Sequence, residues 1–145
     1  MYLAKDCLTG KSPLTFFRNF IVERDGEHKN RLDLKTRGLV PIIDFARVMA
    51  LKCGIRETNT LARLQLLADG DHIPRELYVE TREAYEFQMQ LRLVHQLQMM
   101  EAGQTPDNYI DPGELSEIEK QTLKEAFSVI NRIQGYLKAE LSVID

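Results

Sequence analysis

The feature that most restricts the fold is a long stretch without helix breakers between Pro74 and Gly103. Proline is tolerated at the first position of a helix, and glycine favours the position just after its end. These two residues therefore predict one long helix that ends at about Ala102. A chain with such a helix must bury one side of it against other elements of similar length.

A second long helix is predicted near the carboxyl end of the chain. Ser116 and Glu119 form a capping box, in which each side chain can bond the backbone amide of the other residue. Apolar residues then recur at close to coiled-coil spacing from Leu123 to Leu141. This spacing predicts a helix with one strongly apolar side.

Shorter elements are predicted before these two helices. Pro41 and Gly54 bound one helix, and a second begins at the caps Thr58 and Asn59 and ends at Gly70. A short helix is also predicted from Ser12-Pro13 to Phe20, and the alternation around Leu32 and Leu34 indicates an extended segment. The predicted fold is an all-α, antiparallel helical bundle with short helices and an extended segment near the N-terminus, in a single domain over residues 1–145.

Composition excludes several classes of protein. The net charge is -3 with 28% charged residues, which argues against a general nucleic-acid-binding surface and leaves a local basic pocket open. No apolar run is long enough for a membrane span, and we expect no leader sequence. Cys7 and Cys53 fit neither a disulfide framework nor a metal site, so we expect free thiols and a cytoplasmic protein.

The long predicted helix contains a polar stripe where the centre of a bundle is expected. Gln88, Arg92, His95 and Met99 recur at helical spacing, with Gln96 beside them, while Met89, Leu93 and Val94 are predicted to lie in the apolar arc that faces the core. A buried arginine needs an acid, a ligand or a water-filled cleft. Two interpretations stay open: an internal network paired to Asp33 or Asp44, and a polar pocket open on one side.

A second polar cluster precedes the helix that contains Pro41. Lys35 and Arg37 are predicted to lie just before its N-terminus, where Gly38 allows a sharp turn and backbone amides favour anions. The segment is therefore either a phosphate cradle or a solvated basic turn. Asp44 and Arg47 are three residues apart on the helix, which also fits a simple surface ion pair.

Several motifs, in order along the chain, resemble the family of putative nucleotidyltransferase substrate-binding domains. The resemblance runs from about residue 14 to 138. It is carried by Phe16-Phe17-Arg18, Glu23-Arg24-Asp25-Gly26-Glu27-His28-Lys29, Leu32-Asp33-Leu34-Lys35, Gly38, Pro41-Ile42-Ile43-Asp44, Ala46-Arg47, Asn59-Thr60-Leu61, Arg63-Leu64, Leu91-Arg92, His95-Gln96 and Asp107-Asn108-Tyr109-Ile110.

The resemblance implies a helical domain at the C-terminus of larger bacterial signal-transduction proteins. Such proteins usually also hold cyclic-nucleotide-binding or CBS modules and a nucleotidyltransferase domain. The catalytic acids and the magnesium sites are then expected on that upstream domain, with no catalytic residue, metal or cofactor in this chain.

Two hypotheses about function follow. In the first, the chain helps a nucleotidyltransferase to position nucleotide or acceptor, through seven candidate substrate-binding residues: Lys35, Arg37, Asp44, Arg47, Arg92, His95 and Gln96. In the second, the chain binds no small molecule and docks or dimerises sensor domains, for which the near-heptad last helix provides the surface.

Overall fold

The structure is a computed structural model that describes residues 20–142. Four α-helices form its body: α1 (Val40–Lys52), α2 (Thr60–Asp69), α3 (Arg75–Glu101) and α4 (Glu117–Ser142). The predicted all-α bundle is confirmed, and the helix bounds lie close to the predicted ones. The predicted helix from Ser12 lies outside the described residues, except for Phe20.

The helix ends are set by the local signals that predicted them. Asn59 Oδ1 accepts a hydrogen bond from the amide of Ala62, 3.0 Å away, at the start of α2. The capping box of α4 is formed, since Ser116 Oγ accepts from the Glu119 amide at 3.1 Å and the Glu119 carboxylate accepts from the Ser116 amide at 3.0 Å. Gly54 and Gly103 follow α1 and α3 with φ of 72° and 74°, a conformation that other residues rarely adopt.

Helices α3 and α4 pack against each other in opposite directions. Tyr136 OH, late in α4, donates a hydrogen bond of 2.9 Å to the carbonyl of His72, just before α3. Farther along, Arg132 forms an ion pair with Glu80. Lys52 at the end of α1 pairs with Glu140 near the end of α4 at 2.7 Å, so α1 and α4 run in the same direction.

The apolar side of α4 is covered by the chain itself. Its buried residues include Leu123, Ala126, Phe127, Val129, Ile130, Ile133 and Leu137. They pack in one core with buried residues of α1, α2 and α3, including Phe45, Leu64, Leu67 and Ala84. The near-heptad stripe is therefore not available for docking, because burial in this core accounts for its spacing.

The predicted extended segment is present as strand β1 (Leu32–Asp33). It pairs in antiparallel register with β2 (Tyr109–Ile110), so that Leu32 lies opposite Ile110 and Asp33 opposite Tyr109. Between β2 and α4 lies a short 3₁₀ turn, Pro112–Glu114. This small sheet fixes the segment that follows α3 against the segment that precedes α1.

Candidate functional site

The polar stripe of α3 faces inward, as predicted. Gln88 is 0% exposed, and Arg92, His95, Gln96 and Met99 are half-buried. The apolar arc was assigned wrongly in part, because Leu93 is 58% exposed and Val94 51% exposed. Their positions explain the error: Leu93 is three and seven residues beyond Gln90 and Glu86, and therefore shares the solvent side of the helix with them.

Arg92 and Gln96 bind the segment that leads into β2. Arg92 Nε donates to Asn108 Oδ1 at 2.7 Å, and Gln96 Nε2 donates to the same oxygen at 3.2 Å and to the backbone carbonyl of Asp107 at 3.2 Å. The hydrogen-bonding partner of Arg92 is thus the neutral amide Asn108, which was not among the expected acids. Asp33 Oδ1 instead accepts from the Thr36 amide at 3.1 Å.

The carboxylate of Asp107 contacts three residues: His95, Tyr109 and His28. His95 Nε2 lies 2.9 Å from Asp107 Oδ1, which also accepts from the Tyr109 amide at 3.0 Å. His28 Nδ1 lies 4.0 Å from the other carboxylate oxygen. Burial acts to raise the pKa of Asp107, but the His95 and Tyr109 hydrogen bonds and the two imidazoles outweigh it, and the pKa is lowered.

The ionised Asp107 fixes the proton of His95. A carboxylate only accepts hydrogen bonds, so His95 Nε2 must carry the hydrogen in this pair. His95 Nδ1 is then the ring nitrogen that Asp107 does not engage, and in the neutral imidazole it is an acceptor. The geometry resembles that of an oriented base, but within the described residues we identify no nucleophile beside it.

Tyr109 is held by stacking on one side of its ring. The rings of His28 and Tyr109 are 3.6 Å apart between centroids and inclined by 4°. The negative charge of Asp33, burial, and the charges of Glu23 and Asp107 raise the pKa of the Tyr109 phenol. Tyr109 therefore remains a neutral hydrogen-bond donor near neutral pH.

A polar cavity of about 290 Å³ opens beside this network. It lies between the end of α3 and the segment 109–114, and its lining residues are Arg31, His95, Gln98, Met99, Gln104, Tyr109, Asp111 and Glu114. The hydrogen bonds from α3 to Asp107 and Asn108 thus position the wall of the cavity. Among the described residues that line it, His95 is the one shared with the predicted site.

Lys35 and Arg37 lie in a different setting from the one expected. They belong to a π-helical turn, Lys35–Leu39, in which the Val40 amide donates to the Lys35 carbonyl and the helix continues directly into α1. Two of the first amides of this helix have acceptors within the chain, since Leu34 N donates to the Asn108 carbonyl at 2.9 Å and Thr36 N to Asp33 Oδ1. These two amides are therefore not free for the phosphate cradle, which was one of the two interpretations of this segment.

Gly38 does not make the predicted sharp turn. It is buried within the π-helical turn, and a Cβ added there would overlap Gln88 Oε1 and approach Phe127 Cε1 to 3.1 Å. The absence of a side chain thus allows this turn to lie against α3. Asp44 and Arg47 form the simple pair that was weighed against a site, with Oδ1 and Nη1 3.9 Å apart on α1.

Sequence reasoning missed Asp107, Asn108 and Tyr109 as site residues. From the sequence they enter only among the residues that carry the family resemblance. Two features of the sequence could have indicated them. A buried Arg92 needs a hydrogen-bonding partner, and three hydrogen-bonding residues lie in the first loop after its helix. The length of the loop does not indicate which of its residues folds back onto the helix, so the pairing of Arg92 with Asn108 could not be predicted.

Two further searches of the described residues bear on the site. Over residues 20–142, no group of three or more His, Cys, Asp or Glu side chains is arranged to hold a metal ion. In the same part of the chain, no helix is both long and apolar enough to cross a membrane.

Comparison with known proteins agrees with the resemblance. Neither curated proteins nor solved structures give a significant match. The profile of one family, described as "Putative nucleotidyltransferase substrate binding domain", matches residues 1–141. Because this match covers nearly the whole chain, the chain belongs to the nucleotidyltransferase substrate-binding domain family.

Proposed function

We propose that the domain holds a substrate for a nucleotidyltransferase domain, in the cavity between α3 and the segment 109–114. The family supports association with such a domain. The observation that carries the proposal is the inward polar side of α3, whose hydrogen bonds hold Asp107 and Asn108, the two residues before Tyr109 in the wall of an open polar cavity. An internal network that only fixed the fold would need no such opening.

The chemistry of transfer would be divided between two domains. The catalytic acids and the magnesium would belong to the nucleotidyltransferase domain, and this chain would supply binding and orientation. His95 and Gln96, with Arg92 behind them, would orient the bound molecule and the cavity wall. The setting that the resemblance suggests is signal transduction in the bacterial cytoplasm.

The basic candidate residues outside the cavity would contact the nucleotide rather than the molecule bound in the cavity. Lys35 and Arg37 lie in the turn that follows Leu34, whose amide donates to the Asn108 carbonyl close to the cavity wall, and their side chains are candidates for contacts to the phosphates of the nucleotide. Arg47 is paired with Asp44, so a phosphate there would have to displace a carboxylate.

Nucleotidyl transfer by a protein that contains both domains tests the proposal. We expect His95→Gln to lower transfer, because it removes the group that joins the cavity to Asp107. The matched control is His72→Gln, since His72 is exposed and outside the cavity lining. Equal transfer by both variants and the unchanged protein would contradict a substrate site here.

A second candidate function is docking, now supported by a different surface. We define the apolar patch of α3 as Met89, Leu93, Val94, Leu97 and Met100. They are 38–59% exposed and recur at helical spacing along the outer side of α3. A contiguous apolar patch on a helix commonly marks a contact with another protein.

The charges around the apolar patch favour one kind of occupant. Exposed Glu86 and Glu101 bound it at its two ends, and Arg92, the basic residue of this half of α3, points inward. Two copies of this surface would place like charges together, whereas a partner with basic residues around an apolar centre would pair with them. We therefore propose the nucleotidyltransferase domain, with such a surface, as the occupant.

Binding of the separate nucleotidyltransferase domain tests this docking. The double variant Leu93→Gln/Leu97→Gln should weaken binding, while Leu51→Gln, at an exposed leucine of α1, should not. Equal binding by both variants would contradict docking on the patch. Sedimentation of the chain alone should show a monomer, and a dimer abolished by the double variant would make a second copy the occupant.

A further inference from the structure

The cavity beside His95 has a charge balance that a nucleotide does not suit. Two carboxylates, Asp111 and Glu114, line it together with a single guanidinium, that of Arg31. The His95 ring is already paired with the Asp107 carboxylate, 2.9 Å from its Nε2, so it is not a free counter-charge for a phosphate. A triphosphate needs several cations or amide donors around it, and the predicted basic residues Lys35, Arg37 and Arg47 do not line the cavity.

The size of the cavity also argues against a complete nucleotide as its ligand. Its volume of about 290 Å³ lies at the small end of the usual range for ligand pockets, roughly 300–1,000 Å³. A cavity of about 150 Å³ already holds one benzene ring, so this space accommodates a molecule of about two rings, or the end of a longer one. A complete nucleoside triphosphate would extend beyond it.

The side chains that line the cavity favour a ligand rich in hydrogen-bond donors. Carboxylates only accept hydrogen bonds, and His95 Nδ1 in its neutral form also accepts. The carboxamide of Gln98 can both donate and accept, and the Tyr109 phenol stays protonated because its pKa is raised. Hydroxyl and amino groups match this set, whereas phosphate oxygens meet two repelling carboxylates.

We propose that this cavity binds the acceptor of nucleotidyl transfer, and that the acceptor is a small neutral or cationic molecule bearing several hydroxyl or amino groups. The inference rests on the proposed function and places the nucleotide itself outside this cavity. Glu114 and Gln98 determine the preference for donor groups. Arg92 and Asn108 are positioning residues, since they hold the segment that carries Tyr109 and Asp111.

Amide chemical shifts of the isotope-labelled chain test the ligand class. Glucosamine, spermidine and inositol are titrated separately, and ATP with and without magnesium is the comparison. We expect glucosamine or spermidine to shift the amides of residues 95–99 and 109–114 with a Kd of about millimolar, typical of ligands with few atoms. We expect ATP to leave these amides unchanged.

A matched pair of variants links the shifts to the cavity. Glu114→Gln removes a lining carboxylate and should weaken binding of the amino probe by at least about fivefold, given the strength of a charged hydrogen bond. Glu117→Gln removes an equal charge three residues away, outside the lining, and should change the Kd by less than about twofold.

The outcomes separate the ligand class from the proposed function. Shifts caused by ATP alone would overturn the acceptor inference and leave a substrate site in this cavity. The absence of shifts with all four probes would overturn both, because the cavity would then bind neither substrate. Equal effects of Glu114→Gln and Glu117→Gln would also overturn the inference, since binding would reflect overall charge.

Discussion

Gln88 fills the space that a side chain at position 38 would need. Its Oε1 lies against the Gly38 backbone, and its Nε2 donates a hydrogen bond of 3.1 Å to the Ala84 carbonyl. Gln88 is 0% exposed, and the Phe127 ring closes the same space from α4. The contact determines how the π-helical turn with Lys35 and Arg37 sits on α3.

Gly38→Ala should destabilise the protein by about 1–2 kcal/mol, because overpacking outweighs the gain in helix propensity. Gln88→Ala should relieve the overlap, so the double variant should be more stable than the sum of the two single changes predicts. Chemical denaturation of the four proteins measures this coupling. Additive effects would contradict a direct steric contact between the two residues.

Arg92→Ala should loosen the cavity wall as well as lower stability. Loss of its hydrogen bond to Asn108 should cost about 1–2 kcal/mol, and the Asn108 side chain would keep only Gln96 as a donor on α3. Hydrogen exchange at the Leu34 amide, which donates to the Asn108 carbonyl, should accelerate. Arg56→Ala, at an exposed residue between α1 and α2, is the control. Unchanged exchange in both variants would show that Arg92 does not hold the segment.

The Asp107 network should weaken in acid. The pKa of Asp107 is below its ordinary value of 3.8 in the folded protein, so its contribution to stability is fully present above pH 3.8 and is lost as the pH falls through the folded value. The difference in unfolding free energy between the protein and Asp107→Asn should therefore shrink as the pH falls below 3.8. Denaturant unfolding across this range measures it, and a difference that stays constant or grows would contradict the lowered pKa.

Two glycines at helices should respond to alanine in opposite directions. Gly135 lies within α4 with open space around an added Cβ, so Gly135→Ala should stabilise by about 0.5–1 kcal/mol through lower backbone entropy of the unfolded chain. Gly103 has φ of 74°, so Gly103→Ala should destabilise by about 1 kcal/mol. Thermal unfolding distinguishes the two, and the same sign for both would contradict the backbone geometry.

The features that the sequence predicts correctly are mostly determined by residues close together in the chain. Pro74, Gly103 and the Ser116–Glu119 box act within one helix turn, so the helix bounds followed from the residues themselves. The inward direction of Arg92 also followed from helical spacing. The same spacing puts Leu93 on the side of Glu86 and Gln90, so the exposed apolar patch was open to prediction.

The site itself depends on contacts between distant parts of the chain. From the sequence, Gly38 predicts a sharp turn. In the structure, Gln88 fills the space that a side chain at position 38 would need, although the two residues are far apart in the chain. The role of Asn108 depends on the pairing of β2 with β1, which brings it beside Arg92 and Leu34. Neither contact leaves a local pattern, because each side chain would also suit an exposed position.

The most direct test of a substrate site in this domain is the dependence of nucleotidyl transfer on acceptor concentration, in a protein that contains both domains. We expect Gln98→Ala, within the cavity, to raise the acceptor KM several-fold with little change in the KM for nucleotide, because the lost group contacts the acceptor alone. Gln65→Ala, at an exposed position of α2, should change neither constant. An unchanged acceptor KM in Gln98→Ala, together with an unchanged rate in His95→Gln, would contradict a substrate site in this domain.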